Sequence, residues 1–245
     1  MKKLVIAGFM FLATGVFAQK SKVTSAGNYL KYENYAEAKE AIDAALGNAA
    51  SSDWWKTHYY KGKVYAAIAR SVDPAVKGLD ADAVSKAAEG FEKALSYEDK
   101  KMDRDQVKTA FRSIVNLAFT DGVEAYNAKE FDRSIKSFKL AEKINLANGI
   151  VDTGLTYNIV LVAMDGKKAD IALEYLNKCI EGSIKGSAPY ASKARLQAEA
   201  GDEDGALETL KAGRAKFPND QALLTQELNY YLKNGKMDEA LANLN

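Results

Sequence analysis

His58 is the only histidine in the chain and Cys179 the only cysteine, so acid–base, nucleophilic or metal chemistry has few places to reside. An imidazole titrates near neutral pH, but as a general base it needs a neighbouring group to orient it. His58 stands in D-W-W-K-T-H-Y-Y, Asp53 to Tyr60, among rings on a face expected to pack inward. A lone histidine in that company is read as structural. Zinc needs a second imidazole or paired thiolates at short spacing, and the chain has neither H-E-x-x-H nor a cysteine pair. Asp80 and Asp82 begin like a calcium loop, yet Val84 stands where the next oxygen ligand belongs and the turn glycine is missing. No G-x-x-x-x-G-K cradles a phosphate. The plentiful carboxylates fall on helix faces expected to be solvated, which is their ordinary use. The expectation is a protein that is not an enzyme, with no cofactor and no metal.

The chain opens with a basic Met1-Lys2-Lys3, an apolar run from Leu4 to Val16, and small residues before Gln19. That order predicts a secretory signal peptide over 1–18, cut after Ala18. The run is too short to span a bilayer, which takes roughly 20 residues, so no integral membrane segment is expected after cleavage. Losing Lys2 and Lys3 takes the formal charge from +1 to −1. A near-neutral chain with interspersed charges lacks the footprint of a nucleic-acid binder. With one cysteine there is no internal disulfide, so apolar burial must hold the exported chain together. The expected location is the periplasm, with the extracellular space as the alternative.

The elements that would position any site are helices in pairs. Ser187 to Asp220 is the clearest case: one helix over Pro189–Ala200, a stop at Gly201-Asp202, and a second from Glu203 to Phe217-Pro218. Proline lacks an amide hydrogen and disfavours helix in the residue before it. The plan begins again at Gln221, 34 residues on. The small residues opening successive second helices are Ala38, Ala87, Ser134, Ala172, Ala206 and Ala240, at intervals of 49, 47, 38, 34 and 34. Four residues after each comes a large apolar one: Ile42, Phe91, Phe138, Leu176, Leu210 and Leu244. Ala45, Ala94, Ala141, Cys179 and Gly213 follow three further on, so Cys179 fills a close-approach position and is expected to be buried and inert.

This series, with the Gly62 and Tyr65 spacing and the set Tyr190, Ala194, Ala206, Leu210 and Pro218, resembles the tetratricopeptide repeat family. The resemblance implies an all-α, right-handed α-solenoid of about six helix–turn–helix repeats, the last one incomplete. The repeats would run over about 19–52, 53–100 with an insertion at 71–82, 103–149, 152–186, 187–220 and a truncated 221–245. The third would lead with one long helix from about Asp103 to Ala128, and Asp53 would cap the helix that begins the second. The chain stops in mid-pattern just past Leu244, which suggests a fragment of a longer array or a partner covering Leu241 and Leu244.

In that family the first helices line a concave surface that receives a peptide or partner helix. Carried over by register, the inward places here are Tyr59, Lys63, Phe119, Val123, Tyr126, Asn127, Tyr157, Leu161, Arg195 and Asn229. Their aromatic middle and polar flanks suit a hydrophobic segment better than a C-terminal carboxylate. Two readings of Phe119, Tyr126 and Tyr157 stand side by side: anchors for a ligand, or rings packed against one another in a tight superhelix. The expected function is a non-catalytic protein–protein interaction scaffold of the bacterial envelope. The alternative is an envelope binding protein for a small or glycan ligand using the aromatic cluster from Trp54 to Tyr65. An enzyme built on His58 ranks last.

Overall fold

The computed structural model describes residues 20–242; the expected leader over 1–18 and the final apolar residue Leu244 lie outside them. Among the described residues there are helices and turns and no strand. The chain forms two compact units. One runs to Ala125 and takes in Lys136–Ile150; the other comprises Tyr126–Ile135 and the residues from Val151 onward.

In the first unit α1 (20–31) and α2 (Tyr35–Leu46) make a hairpin. The stripe Ala38, Ile42 and Ala45 is fully buried, with Val23 and Ala26 of α1 in the same core. After the single-turn α3 (Ala49–Ser52) come α4 (Trp55–Arg70), the short α5 (Pro74–Lys77) and α6 (Ala83–Leu95). Helices α4 and α6 touch backbone to backbone, because Gly62 and Gly90 meet at their crossing. A Cβ on Gly90 would lie 2.5 Å from the Gly62 nitrogen, and one on Gly62 would lie 2.5 Å from the Phe91 ring. Small residues allow the approach, and Phe91, 1% exposed, fills the space beside it.

Asp53 does not cap α4. Trp54 occupies the N-cap position without a side-chain bond. The Asp53 carboxylate instead accepts a hydrogen bond from the Tyr97 hydroxyl at 2.9 Å. The insertion carries α5, capped by Asp73 through the Ala75 amide, and leaves Val72 almost wholly exposed. Its far end is tied down at Asp80, whose carboxylate meets the ammonium of Lys86 at 2.6 Å and that of Lys39 at 3.9 Å. Tyr65 donates to Asp43 at 2.7 Å in the same cluster.

The long helix expected from Asp103 to Ala128 is two helices, α7 (Arg104–Arg112) and α8 (Val115–Asn127). Ser113 turns its hydroxyl back onto the Ala110 carbonyl at 2.7 Å, and the Ile114 amide bonds to Phe111 in a tightened turn. The buried positions Val107, Phe111, Ile114 and Ala118 continue across the break, so periodicity could not show it. Helix α9 (Phe131–Ala147) follows, its first residues in the second unit and the rest in the first. Within the first unit Gly122 of α8 meets the Phe138 ring, repeating the glycine-on-phenylalanine contact of Gly62 and Phe91.

The second unit continues with α10 (Thr153–Asp165), α11 (Ala169–Glu181), α12 (Ala188–Glu199), α13 (Glu203–Lys216), α14 (Gln221–Lys233) and α15 (Met237–Ala242). Asp152, Asp202 and Asp220 each accept an amide hydrogen bond at a helix start. Helix α10 buries Leu155, Ile159, Val160 and Val162 but leaves Leu161 44% exposed. Cys179 is fully buried on α11. Gly213 of α13 lies against Tyr190 of α12 and Leu223 of α14, so the third helix packs where the close approach permits. Among the described residues the fold is all-α, built of consecutive helical hairpins.

Candidate functional site

Helices α12, α13 and α14 enclose an open groove of about 530 Å³ in the second unit. Ala194, Ala198, Ala206, Leu210 and Tyr230 give it an apolar lining; Arg195, Glu199, Glu203, Asn229 and Lys233 contribute polar groups. Arg195 and Asn229, one from each of two first helices, are thus brought to one place. The charges there are largely matched: Lys233 meets Glu203 at 2.6 Å, and Arg195 lies 4.0 Å from Glu199. The amide of the exposed Asn229 can both donate to and accept from the backbone of an incoming chain. Tyr230 is held in the wall by an edge-on contact with Tyr231 at 5.7 Å.

The wall depends on a charge inside the unit. Glu227 of α14 is 4% exposed and accepts from Arg214 at 2.9 Å and from the Tyr231 hydroxyl at 3.2 Å. Register alone places Leu224 and Leu228 inward, by analogy with Tyr190 and Ala194. The structure instead buries Leu223 and Glu227 one position earlier, a small rotation of α14 about its axis.

Elsewhere in the second unit Tyr126 is 38% exposed, donates to Asp165 at 2.6 Å, and meets Phe131 edge-on at 6.1 Å. The hydrogen bond to Asp165 raises its phenol above the ordinary tyrosine range. Asn127 is exposed beside it. Tyr157 is half-buried, with the Lys185 ammonium 5.5 Å from its ring centre, and Leu161 follows one turn on. In the first unit Phe119 and Val123 are exposed on α8, Phe119 tilted against Phe138 at 5.5 Å. The ring partners found for Phe119 and Tyr126 are therefore phenylalanines of α9.

Tyr59 is half-buried among Trp55, Tyr60 and Phe91, at 6.3, 5.6 and 6.1 Å between ring centres. Lys63 reaches over both Tyr59 and Tyr60. The aromatic cluster from Trp54 to Tyr65 is committed mainly to packing: Trp55 is 7% exposed and Tyr65 only 3%. His58 donates from Nε2 to the Ser52 carbonyl at 2.8 Å and stacks on Tyr97 at 5.8 Å. Burial holds its pKa below the ordinary imidazole value, helped by Lys93 and Lys61 and opposed by the Ser52 hydrogen bond. Its contacts tie α4 to the segment before it through Ser52 and to the chain after α6 through Tyr97.

Sequence reasoning missed Glu203, Tyr230 and Lys233 in the groove. The first opens a second helix, and the others follow Asn229 by one and four residues, past the single place carried over for that helix. No helix among the described residues is long and apolar enough to cross a membrane.

No protein-family model matches the chain, and no curated protein matches it by sequence. Among solved structures it is similar to Pseudomonas aeruginosa PilF, with 15% identity over 92% of this chain and 88% of that one and a TM-score of 0.39. It is similar also to the TPR domain of P58(IPK), with 12% identity over 92% and 71% and a TM-score of 0.42. PilW, a type IV pilus biogenesis factor, shares 14% identity over 85% and 97%, with a TM-score of 0.38. Within this chain one contact recurs, Gly62 on the Phe91 ring and Gly122 on the Phe138 ring.

Proposed function

We propose that the protein is a non-catalytic interaction scaffold of the bacterial cell envelope that takes a peptide segment or partner helix on its first-helix faces. The observation that supports this is the open α12–α14 groove, apolar at its floor and polar at its rim, which contains both Arg195 and Asn229. A lining of this kind accepts one apolar anchor side chain while Asn229 satisfies the partner's backbone. Tyr126, Asn127, Tyr157 and Leu161 extend the contact surface in the second unit, and Tyr59, Lys63, Phe119 and Val123 serve the first. Export follows from the leader expected over 1–18, and the periplasm is where its partner is to be sought.

Ala198→Trp fills the groove floor with an indole and is expected to remove the partner that co-purifies from an envelope extract. Tyr126→Ala with Tyr157→Ala should reduce the same partner's recovery. Glu208→Ala, on an exposed position of α13 outside the groove lining, should leave it unchanged. Circular dichroism checks that each variant is folded. An identical partner set for wild type and Ala198→Trp would overturn the groove assignment.

A further inference from the structure

The extra helix α7 does more than join two hairpins. Its Ala110 and the adjoining Ser113 wall a second cleft, of about 530 Å³, against α1 and α4 in the first unit. The cleft holds three cationic side chains, Lys31, Lys63 and Arg70, against the single carboxylate of Glu33. None of the three cations has a carboxylate partner among the described residues. Lys63 lies over the Tyr59 and Tyr60 rings, and Lys31 over Tyr32. The contrast with the same helix's other side is direct, since Lys61 pairs with Glu89 at 2.9 Å. The remaining lining is an apolar floor of Leu30, Ala66, Ala67, Phe91 and Ala110, with the hydroxyl-bearing Tyr35 and Ser113 beside it.

We infer that this α1–α4–α7 cleft binds a ligand carrying carboxylates on a short aliphatic stem, the carboxylates meeting Lys63 and Arg70 and the stem lying on the alanine floor. The combination selects among anions. Phosphate has no apolar part to cover the alanines, whereas a glutamate-like group matches both surfaces. The cleft volume falls within the range of sites that enclose small ligands. Unpaired cations offer charge-assisted hydrogen bonds without first breaking an internal ion pair. Two sources share this chemistry: acidic side chains of a partner peptide, and a free dicarboxylate.

Isothermal titration at low salt, with Ac-Glu-Glu-Glu-NH2, glutarate and Ac-Gln-Gln-Gln-NH2 as probes, tests it. At least one carboxylate probe should bind at a single saturable site, weakening as salt rises, and the glutamine peptide should not bind. Peptide binding without glutarate binding assigns the source to a partner chain; the reverse assigns it to a free molecule; binding of both leaves the site open to either. Lys63→Gln and Arg70→Gln should each weaken binding about tenfold, as loss of a charge-assisted contact would. Arg70→Lys should retain most of it. Both positions are exposed, so thermal melts should be unchanged. Ala198→Trp, which blocks the α12–α14 groove, should leave this binding intact, so that groove and this cleft are tested separately even though Lys63 belongs also to the contact surface proposed for the first unit. The inference is overturned if neither carboxylate probe binds, if the glutamine peptide binds as well, or if Lys63→Gln and Arg70→Gln bind with wild-type affinity.

Discussion

Replacing Gly90 with alanine is expected to destabilise the first unit by about 2–4 kcal/mol. Helix propensity pulls the other way, since alanine in a helix interior is favoured over glycine by about 1 kcal/mol. Packing wins because the new Cβ would sit 2.5 Å from the Gly62 nitrogen and 2.8 Å from the His58 carbonyl oxygen. Those are backbone atoms, and a backbone cannot rotate aside as a side chain can. Helices α4 and α6 would have to part, loosening Phe91 from its pocket. Gly154→Ala on α10 is the control, because its nearest neighbour is a side-chain oxygen at 3.4 Å. That variant should gain a few tenths to about 1 kcal/mol. Urea unfolding followed by circular dichroism gives both values. A stabilised Gly90→Ala would mean that the two helices do not touch at Gly62.

Glu227→Ala is expected to cost about 2–4 kcal/mol in the second unit. The substitution leaves the Arg214 guanidinium and the Tyr231 hydroxyl facing an emptied interior site. Arg214 remains 26% exposed, so water recovers part of the loss and the upper figure is a ceiling. The pair Glu227→Leu with Arg214→Met should recover much of the stability, because a buried ion pair replaced as a unit by apolar groups is often close to neutral. A double-mutant cycle read by thermal melting separates the coupling from the single losses. Independence of the two sites would show that the Arg214–Glu227 contact contributes nothing to holding α14 beside α13. Loss of α14 would also remove Asn229 and Tyr230 from the groove, so ligand binding should fall with stability.

Most of the hairpin plan was legible because it depends on residues that announce themselves. Ala38, Ala87, Ser134, Ala172 and Ala206, with Ile42, Phe91, Phe138, Leu176 and Leu210 four residues on, mark the second helices by spacing alone, whereas the contacts of Gly62 with Phe91 and of Gly122 with Phe138 emerge only from the structure. Gly90 was not legible as a contact, since a glycine inside a helix does not say what approaches it. The break at Ser113 was hidden by an apolar stripe that runs straight through it. That break matters for function, because it frees α7 to wall the α1–α4 cleft. The repeat pattern has no slot for such a helix, so the basic cleft could not be inferred from register.

Of the groove residues, Arg195 and Asn229 came from register alone and lie in one groove. Glu227 was missed for a physical reason: register gives the inward place to Leu228, and nothing in the sequence shows the rotation of α14 that turns Glu227 onto Arg214. Lys233 and Glu203 were missed because their pairing crosses from one helix to another, 30 residues apart in sequence. Asp53 illustrates the reverse case. It has the right chemistry and position for a helix cap, yet its carboxylate is claimed by Tyr97.

Photo-crosslinking from within the α12–α14 groove addresses the proposed role most directly. With benzoylphenylalanine at position 229 in one variant and at 208 in another, irradiation in the intact envelope should give a discrete adduct from 229 and none from 208. Adducts of equal yield at both positions, or at 208 alone, would place the partner elsewhere and contradict the groove as its seat.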